Sequence, residues 1–253
     1  MKLIKSDALN IPDLKTPIWK YMDLAKFLDL ITHKRIFFPN GATLTDKHEG
    51  SIPDAIFKRK RIELIESGLS GRDLEEEMAI FNIYEANSMI NLSLINCWSA
   101  EIDESYALWK IYLGGQQLGF AIKSTLGSLI EAIEKGNDPY PEDYFIGKVE
   151  YNESLPPGEN HRLKMLTRKM PFYKYENEIR LIILNYPRSE GGTQTPYSLN
   201  VGRHVIVDTE ILIEEAYLSP FAPKWVYDSL IATITMVDST IGERLRESKI
   251  KDC

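Results

Sequence analysis

The sequence predicts an α+β fold: a mixed, strongly bent β-sheet flanked by helices, in a single domain over residues 1–253. Three observations point there. Apolar residues recur with period two in some segments and at helical spacing in others, and the two kinds alternate irregularly. The breaks between them are turn-formers, as at Pro39-Asn40-Gly41, Gly114-Gly115 and Pro156-Pro157-Gly158. Hydrophobic residues make up 43% and charged residues 26% of the 253, ordinary globular usage at a length that can bury a substantial core.

In chain order, Ile18-Trp19-Lys20-Tyr21 alternates as a strand. Asp23 can cap a helix whose Leu24, Phe27, Leu28 and Ile31 share one face. Arg35 to Phe38 is a short strand, followed by a polar loop through Gly50. Ile56, Phe57, Ile62 and Ile65 suggest a helix carrying the basic run Lys58 to Arg61, and Leu74, Met78 and Phe81 another carrying Glu75-Glu76-Glu77. Leu92 to Ser99 reads as a strand, Asp103 to Tyr112 as a helix, Leu118 to Ile122 as a strand. Ser124 is placed as the cap of a helix bearing Leu126, Leu129, Ile130 and Ile133. Tyr144 to Tyr151 and Tyr173 to Leu184 are strands, the latter the strongest in the chain. Ser189 to Pro196 is a polar excursion; Val205 to Val207 and Ala216 to Leu218 are short strands, and Trp225 to Ile234 is a helix.

Composition narrows the function classes. The net charge of −7 lacks the basic excess of a nucleic-acid binder, so any such contact is local. Two cysteines, Cys97 and Cys253, are too few for a disulfide framework or a metal finger. Nothing approaches the run of about 18 apolar residues that a membrane span needs, and the N-terminus has no signal-peptide pattern, so the expected location is cytoplasmic.

Four segments can carry chemistry. Strand alternation in Tyr173 to Ile183 puts Lys174, Glu176, Glu178 and Arg180 on one face. Two carboxylates about 7 Å apart with an arginine next in line allow one to be held and the other to meet a ligand; the alternative is a solvated face of cross-strand ion pairs. Asp46, His48 and Glu49 lie in a loop, either as ligand-facing groups or as a solvated turn. Three ligands within four loop residues rarely reach one ion, so no metal is expected. Trp98, Trp109 and Tyr112 can wall a flat ring or serve as core. Lys20, between Trp19 and Tyr21, can meet a phosphate or a carboxylate, or sit at the surface. The basic run can touch RNA phosphates or be a solvated helix face. No glycine-rich phosphate loop is present.

In this order the segments resemble the bacterial family grouped as domain of unknown function 2971, over about Pro17 to Ile234. The likeness rests on Trp19-Lys20-Tyr21, the helix from Leu24, the Asp46–Gly50 loop, Cys97-Trp98-Ser99, the Leu108–Tyr112 helix, Gly119–Ile122, and the Tyr-x-x-Glu-x-Glu-x-Arg run of Tyr173 to Arg180. Thr45, Lys47 and Ile111 stand where that family usually has Asn, Pro and His. The layout also resembles the ADP-ribosyltransferase fold. That likeness implies NAD as the substrate, Glu178 and Glu176 as catalytic carboxylates, and a ligand set of Lys20, Tyr21, Ser99, Trp109, Tyr112, Arg180, Asp46 and Glu49. Lys20 occupies the place of a first-strand Arg or His. The implied activity is transfer of ADP-ribose to a protein or nucleic acid, as a toxin or phage-defence effector restrained by an antitoxin or regulatory protein. The rival readings are a metal-dependent nuclease using Asp46, Glu49 and Glu178, and a ligand-sensing or interaction domain without chemistry.

Overall fold

The computed structural model describes residues 1–44, 54–139, 143–153, 162–184 and 201–250. The chain opens with β1 (Pro17–Asp23), α1 (Leu24–His33) and β2 (Arg35–Pro39). Two helices, α2 (Asp54–Glu66) and α3 (Gly71–Asn91), lead to β3 (Ser93–Ser99), α4 (Tyr106–Leu113), β4 (Gly119–Thr125) and α5 (Leu126–Lys135). Then come β5 (Tyr144–Lys148), β6 (Glu150–Tyr151), α6 (Arg162–Leu166), β7 (Arg168–Lys169) and β8 (Glu178–Leu184). The last elements are β9 (Gly202–Ile206), α7 (Thr209–Leu212), β10 (Glu215–Leu218), α8 (Lys224–Val237), α9 (Ser239–Glu243) and β11 (Leu245–Glu247).

Seven strands form one mixed sheet in the order β11-β10-β4-β1-β3-β8-β5, parallel only between β10 and β11. Its two halves are continuous, but the seam that joins them is not. β1 and β4 pair over seven residues, and so do β3 and β8. Between them, β1 and β3 share the single register Trp19↔Ser99. The sheet is therefore open along most of its middle seam. β2 and β9 form a separate antiparallel ribbon beside it, and β6 pairs with β7.

Alternation along the strands sorts the core. One face carries Ile18, Met22, Trp98, Ile122, Ile179 and Leu181, buried under Phe27, Leu30 and Ile31 of α1 and Leu126, Leu129 and Ile133 of α5. Asp23 caps α1 as its sequence implies, accepting from the Lys26 N–H at 2.9 Å. The cap of α5 is Thr125, which accepts from Ser128 N–H, and not Ser124, which is fully buried. The other face is covered in two places. Trp19, Tyr21, Ala121 and Tyr217 meet Leu108, Trp109 and Leu113 of α4, while Ile95 and Ile182 meet Leu163 and Leu166 of α6. Between these patches the face turns polar: the pairs Cys97↔Arg180 and Ser99↔Glu178 fall in the gap.

The predicted strand from Tyr173 is shorter than expected. Pro171 opens a 3₁₀ turn that runs to Glu176, and Asn177 follows in the left-handed region at φ 41°, a conformation Asn tolerates better than most residues. The Asn177 amide donates to the Ala100 carbonyl at 3.0 Å, fixing the bend. The strand proper begins at Glu178. Tyr144 to Tyr151 likewise breaks at Val149 into β5 and β6. The basic run lies on α2, where Arg61 pairs with Glu75 of the acidic run on α3. Among the described residues no helix is long and apolar enough to cross a membrane.

Candidate functional site

The open seam continues into a cleft of about 750 Å³, within the range of small-molecule sites. Lys20, Asn96, Cys97, Ser99, Tyr112, Glu176, Glu178 and Arg180 line it, with Asp29, Arg35, Phe37 and His204 from α1 and the β2–β9 ribbon. Its described lining holds five cations (Lys20, Lys26, Arg35, Lys169, Arg180) against three carboxylates (Asp29, Glu176, Glu178). Asp23 pairs with Lys26 from just outside the lining, so the local positive excess rests on Lys20, which suits an anionic ligand in a chain of net charge −7.

Lys20 sits where the seam opens. Because β1 and β3 have parted, the Cys97 carbonyl accepts from the Lys20 ammonium at 2.8 Å. The Asn96 side-chain oxygen lies 3.4 Å from the same nitrogen, and the Trp98 ring lies under it at 5.4 Å. Among the described residues no carboxylate stands within ion-pair distance of Lys20. Burial pulls its pKa from the ordinary 10.5 down to about 8, against the opposing pull of Cys97 and Glu178. Asn96, fully buried, also accepts from the Trp98 indole at 2.7 Å and donates to the Phe37 carbonyl at 2.7 Å, tying the ribbon to the sheet.

The two glutamates are held differently. Arg180 closes a fork on Glu178, Nε to one oxygen at 3.0 Å and a terminal nitrogen to the other at 3.1 Å. Both side chains are buried, and Arg180 also donates to the Leu166 carbonyl at 2.7 Å. Burial opposes ionisation of Glu178, but the Arg180 and Lys169 charges overcome it and hold the carboxyl down at about 2. Glu176 is half-buried at the end of the 3₁₀ turn and takes Lys169 at 2.6 Å. Lys169 reaches Glu178 at 3.4 Å, so it bridges the pair. Burial raises the Glu176 pKa despite that lysine. One carboxylate is thus permanently charged and anchored, while the other is closer to exchanging a proton.

Of the residues singled out in the sequence, Lys20, Tyr21, Ser99, Tyr112, Glu176, Glu178 and Arg180 line one cleft. Tyr21 stacks on Tyr112 at 6.2 Å and 13°, with its hydroxyl accepting from the Ser105 N–H at 2.8 Å. Trp109 does not reach the cleft lining. The inward face of α4 buries it edge-on behind Tyr21 at 5.0 Å, and its indole donates to Glu104. Asp46 and Glu49 lie outside the described residues. Ser99 Oγ is buried with no hydrogen-bond partner. Lys169, Phe37 and His204 were not foreseen. Each arrives by long-range pairing, through β7 or the β2–β9 ribbon, and no local pattern marks it. Comparison of the chain with protein-family models, with curated proteins and with solved structures returns no match.

Proposed function

We propose that this chain transfers ADP-ribose from NAD to a protein or nucleic-acid acceptor, on a bent, ADP-ribosyltransferase-like sheet. One observation carries the reading: the opened seam collects Lys20, Ser99, Glu176 and Glu178 around a single cleft with a positive excess. Lys20, with no carboxylate in ion-pair distance among the described residues, meets the pyrophosphate. The stacked Tyr21 and Tyr112 rings flank the nicotinamide. Glu176 faces the ribose. As the bond from ribose C1′ to the nicotinamide nitrogen breaks, its electron pair leaves with nicotinamide, and a preorganised carboxylate stabilises the positive charge on C1′. The acceptor nucleophile then bonds to C1′ and its proton passes to Glu176, whose raised pKa suits that task. Glu178, locked by Arg180, keeps Lys169 and through it Glu176 in place. We read the biological role as that of a toxin or defence effector restrained by a partner protein.

The metal-dependent nuclease fits less well. Both Glu178 oxygens already accept from Arg180, and Lys169 sits beside one of them, so binding an ion would break a buried pair. The test is nicotinamide release and ADP-ribose incorporation from labelled NAD. The wild type should release nicotinamide, and Glu176→Gln should slow release on the order of 100-fold with NAD affinity nearly unchanged. Saturable NAD binding without any release would leave a ligand sensor instead. Absence of NAD binding would remove the proposal.

A further inference from the structure

We infer that the end of the cleft built by α1, β2 and β9 is a nucleobase subsite, with the Phe37–His204 ring pair as its stacking face and Asp29 as the acceptor that reads an exocyclic amine. This rests on the reading of the cleft as a dinucleotide site and names which residues take its second half. Phe37 and His204 are direct partners across the ribbon, their rings 4.9 Å apart at 53°. Phe37 leaves 38% of its surface exposed although its strand neighbours Ile36 and Phe38 are buried. An aromatic ring exposed on the wall of a cleft is a stacking platform for a base, since every base offers a π-face.

Asp29 supplies direction. Arg35 donates to both of its oxygens, at 3.1 and 2.6 Å, and His33 Nδ1 lies 3.1 Å from Oδ1. A carboxylate has about four acceptor positions. Arg35 accounts for two, one on each oxygen; the approach of His33 is an ion-pair contact only, and His204 Nε2, 3.6 Å from Oδ2, is beyond hydrogen-bond range. The remaining position on Oδ2 is an acceptor only, so it favours a base that presents an amine, such as adenine, over one that presents a keto oxygen. The poles are joined in the right sequence. Asn96 bonds the Phe37 carbonyl on one side and approaches the Lys20 ammonium on the other, and Lys20 bonds the carbonyl of Cys97, the β-partner of Arg180. A ligand lying along this chain meets the ring pair, then the cation, then the carboxylates, which is the order base, pyrophosphate, ribose.

Calorimetric titration with AMP and, separately, nicotinamide mononucleotide tests the assignment. Phe37→Ala should weaken AMP on the order of tenfold and leave nicotinamide mononucleotide within about twofold; Phe37→Trp, which keeps a ring, should retain AMP. The hypoxanthine analogue of NAD, with a keto oxygen in place of the amine, should bind more weakly than NAD to the wild type. Unchanged AMP binding in both Phe37→Ala and His204→Ala, with NAD still bound by the wild type, overturns the subsite alone. Equal loss of both mononucleotides in Phe37→Ala also overturns it. A wild type that binds neither mononucleotide nor NAD ends the functional reading, and the subsite with it.

Discussion

Replacing Lys20 with methionine separates a structural lysine from a ligand-binding one, because the two predict opposite signs. In the folded chain its pKa is lowered from 10.5 to about 8. At about 1.4 kcal/mol for each pH unit, holding the ammonium in the seam costs up to roughly 3.5 kcal/mol. The lysine is only half-buried, and water in the cleft screens part of this, leaving about 1–2 kcal/mol. Methionine removes that cost and forfeits one charged hydrogen bond to the Cys97 carbonyl, worth about 1 kcal/mol once the carbonyl meets cleft water. Lys20→Met should therefore be as stable as the wild type or up to roughly 1 kcal/mol more so, while NAD affinity falls roughly tenfold to a hundredfold through loss of a charge-assisted contact. The pH dependence has a definite sign. A lysine whose folded pKa is depressed destabilises the fold below about 8, and that penalty fades as pH rises from about 8 to 10.5. Ligand affinity runs the other way and declines as pH passes about 8 and the free ammonium is lost. Thermal denaturation and calorimetry between about pH 6.5 and 9.5 read both trends. A variant that melts many degrees lower with NAD affinity intact would show that Lys20 is a structural strut and refute the reasoning.

Two further substitutions test the frame around the site. Glu178→Gln removes the carboxylate from the buried fork with Arg180 and should cost about 3–5 kcal/mol, a drop of roughly 6–20 °C in melting temperature. Since the folded pKa of Glu178 is depressed from 4.5 to about 2, the gap between wild type and variant should be full above pH 4.5 and close as pH falls toward 2; melting within a degree or two of wild type at neutral pH would contradict the buried pair. Gly136→Ala puts a Cβ within 2.7 Å of the Ile206 carbonyl carbon and of Val207 Cα. Overpacking should cost about 1–3 kcal/mol and displace β9, so AMP binding should weaken with stability; a Gly136→Ala variant that melts above wild type would exclude the clash.

Much of the frame was legible because it depends on local signals. The Asp23 cap, the α1 stripe of Phe27 and Ile31, and the buried strands at Leu94 and Ile179 all follow from spacing and turn chemistry. Where the reading failed, a backbone preference overrode the side-chain period. Tyr173 to Glu176 carries the alternation of a strand, yet Pro171 starts a tight turn and Asn177 turns left-handed. Glu176 still comes to lie beside Glu178, but by a bend and not by strand alternation. The division of labour between the two glutamates was not legible at all, since it is decided by Lys169, which reaches them from β7. Trp109 and Tyr112 show the same limit on α4: both are aromatic neighbours on one helix, and only the docking of that helix on Tyr21 decides which is core and which is wall.

The seam between β1 and β3 is also where the fold is least consistent with stability alone. Trp19 and Ser99 form its only register pair, and both carry a buried polar atom without a partner, Trp19 Nε1 and Ser99 Oγ. An orphaned buried donor costs about 1–3 kcal/mol. Lys20, the next residue, adds a cation without a carboxylate among the described residues. Two other buried orphans, on Tyr144 and Thr209, lie outside the cleft lining, so an isolated defect of this kind is not diagnostic. Three unfavourable polar placements on consecutive or paired residues, all lining one cavity, are a different matter. Extending the β1–β3 ladder would close the seam and allow apolar residues in their place. Local rules broken together at one place, while the surrounding strands obey them, are what is expected where function outweighs stability.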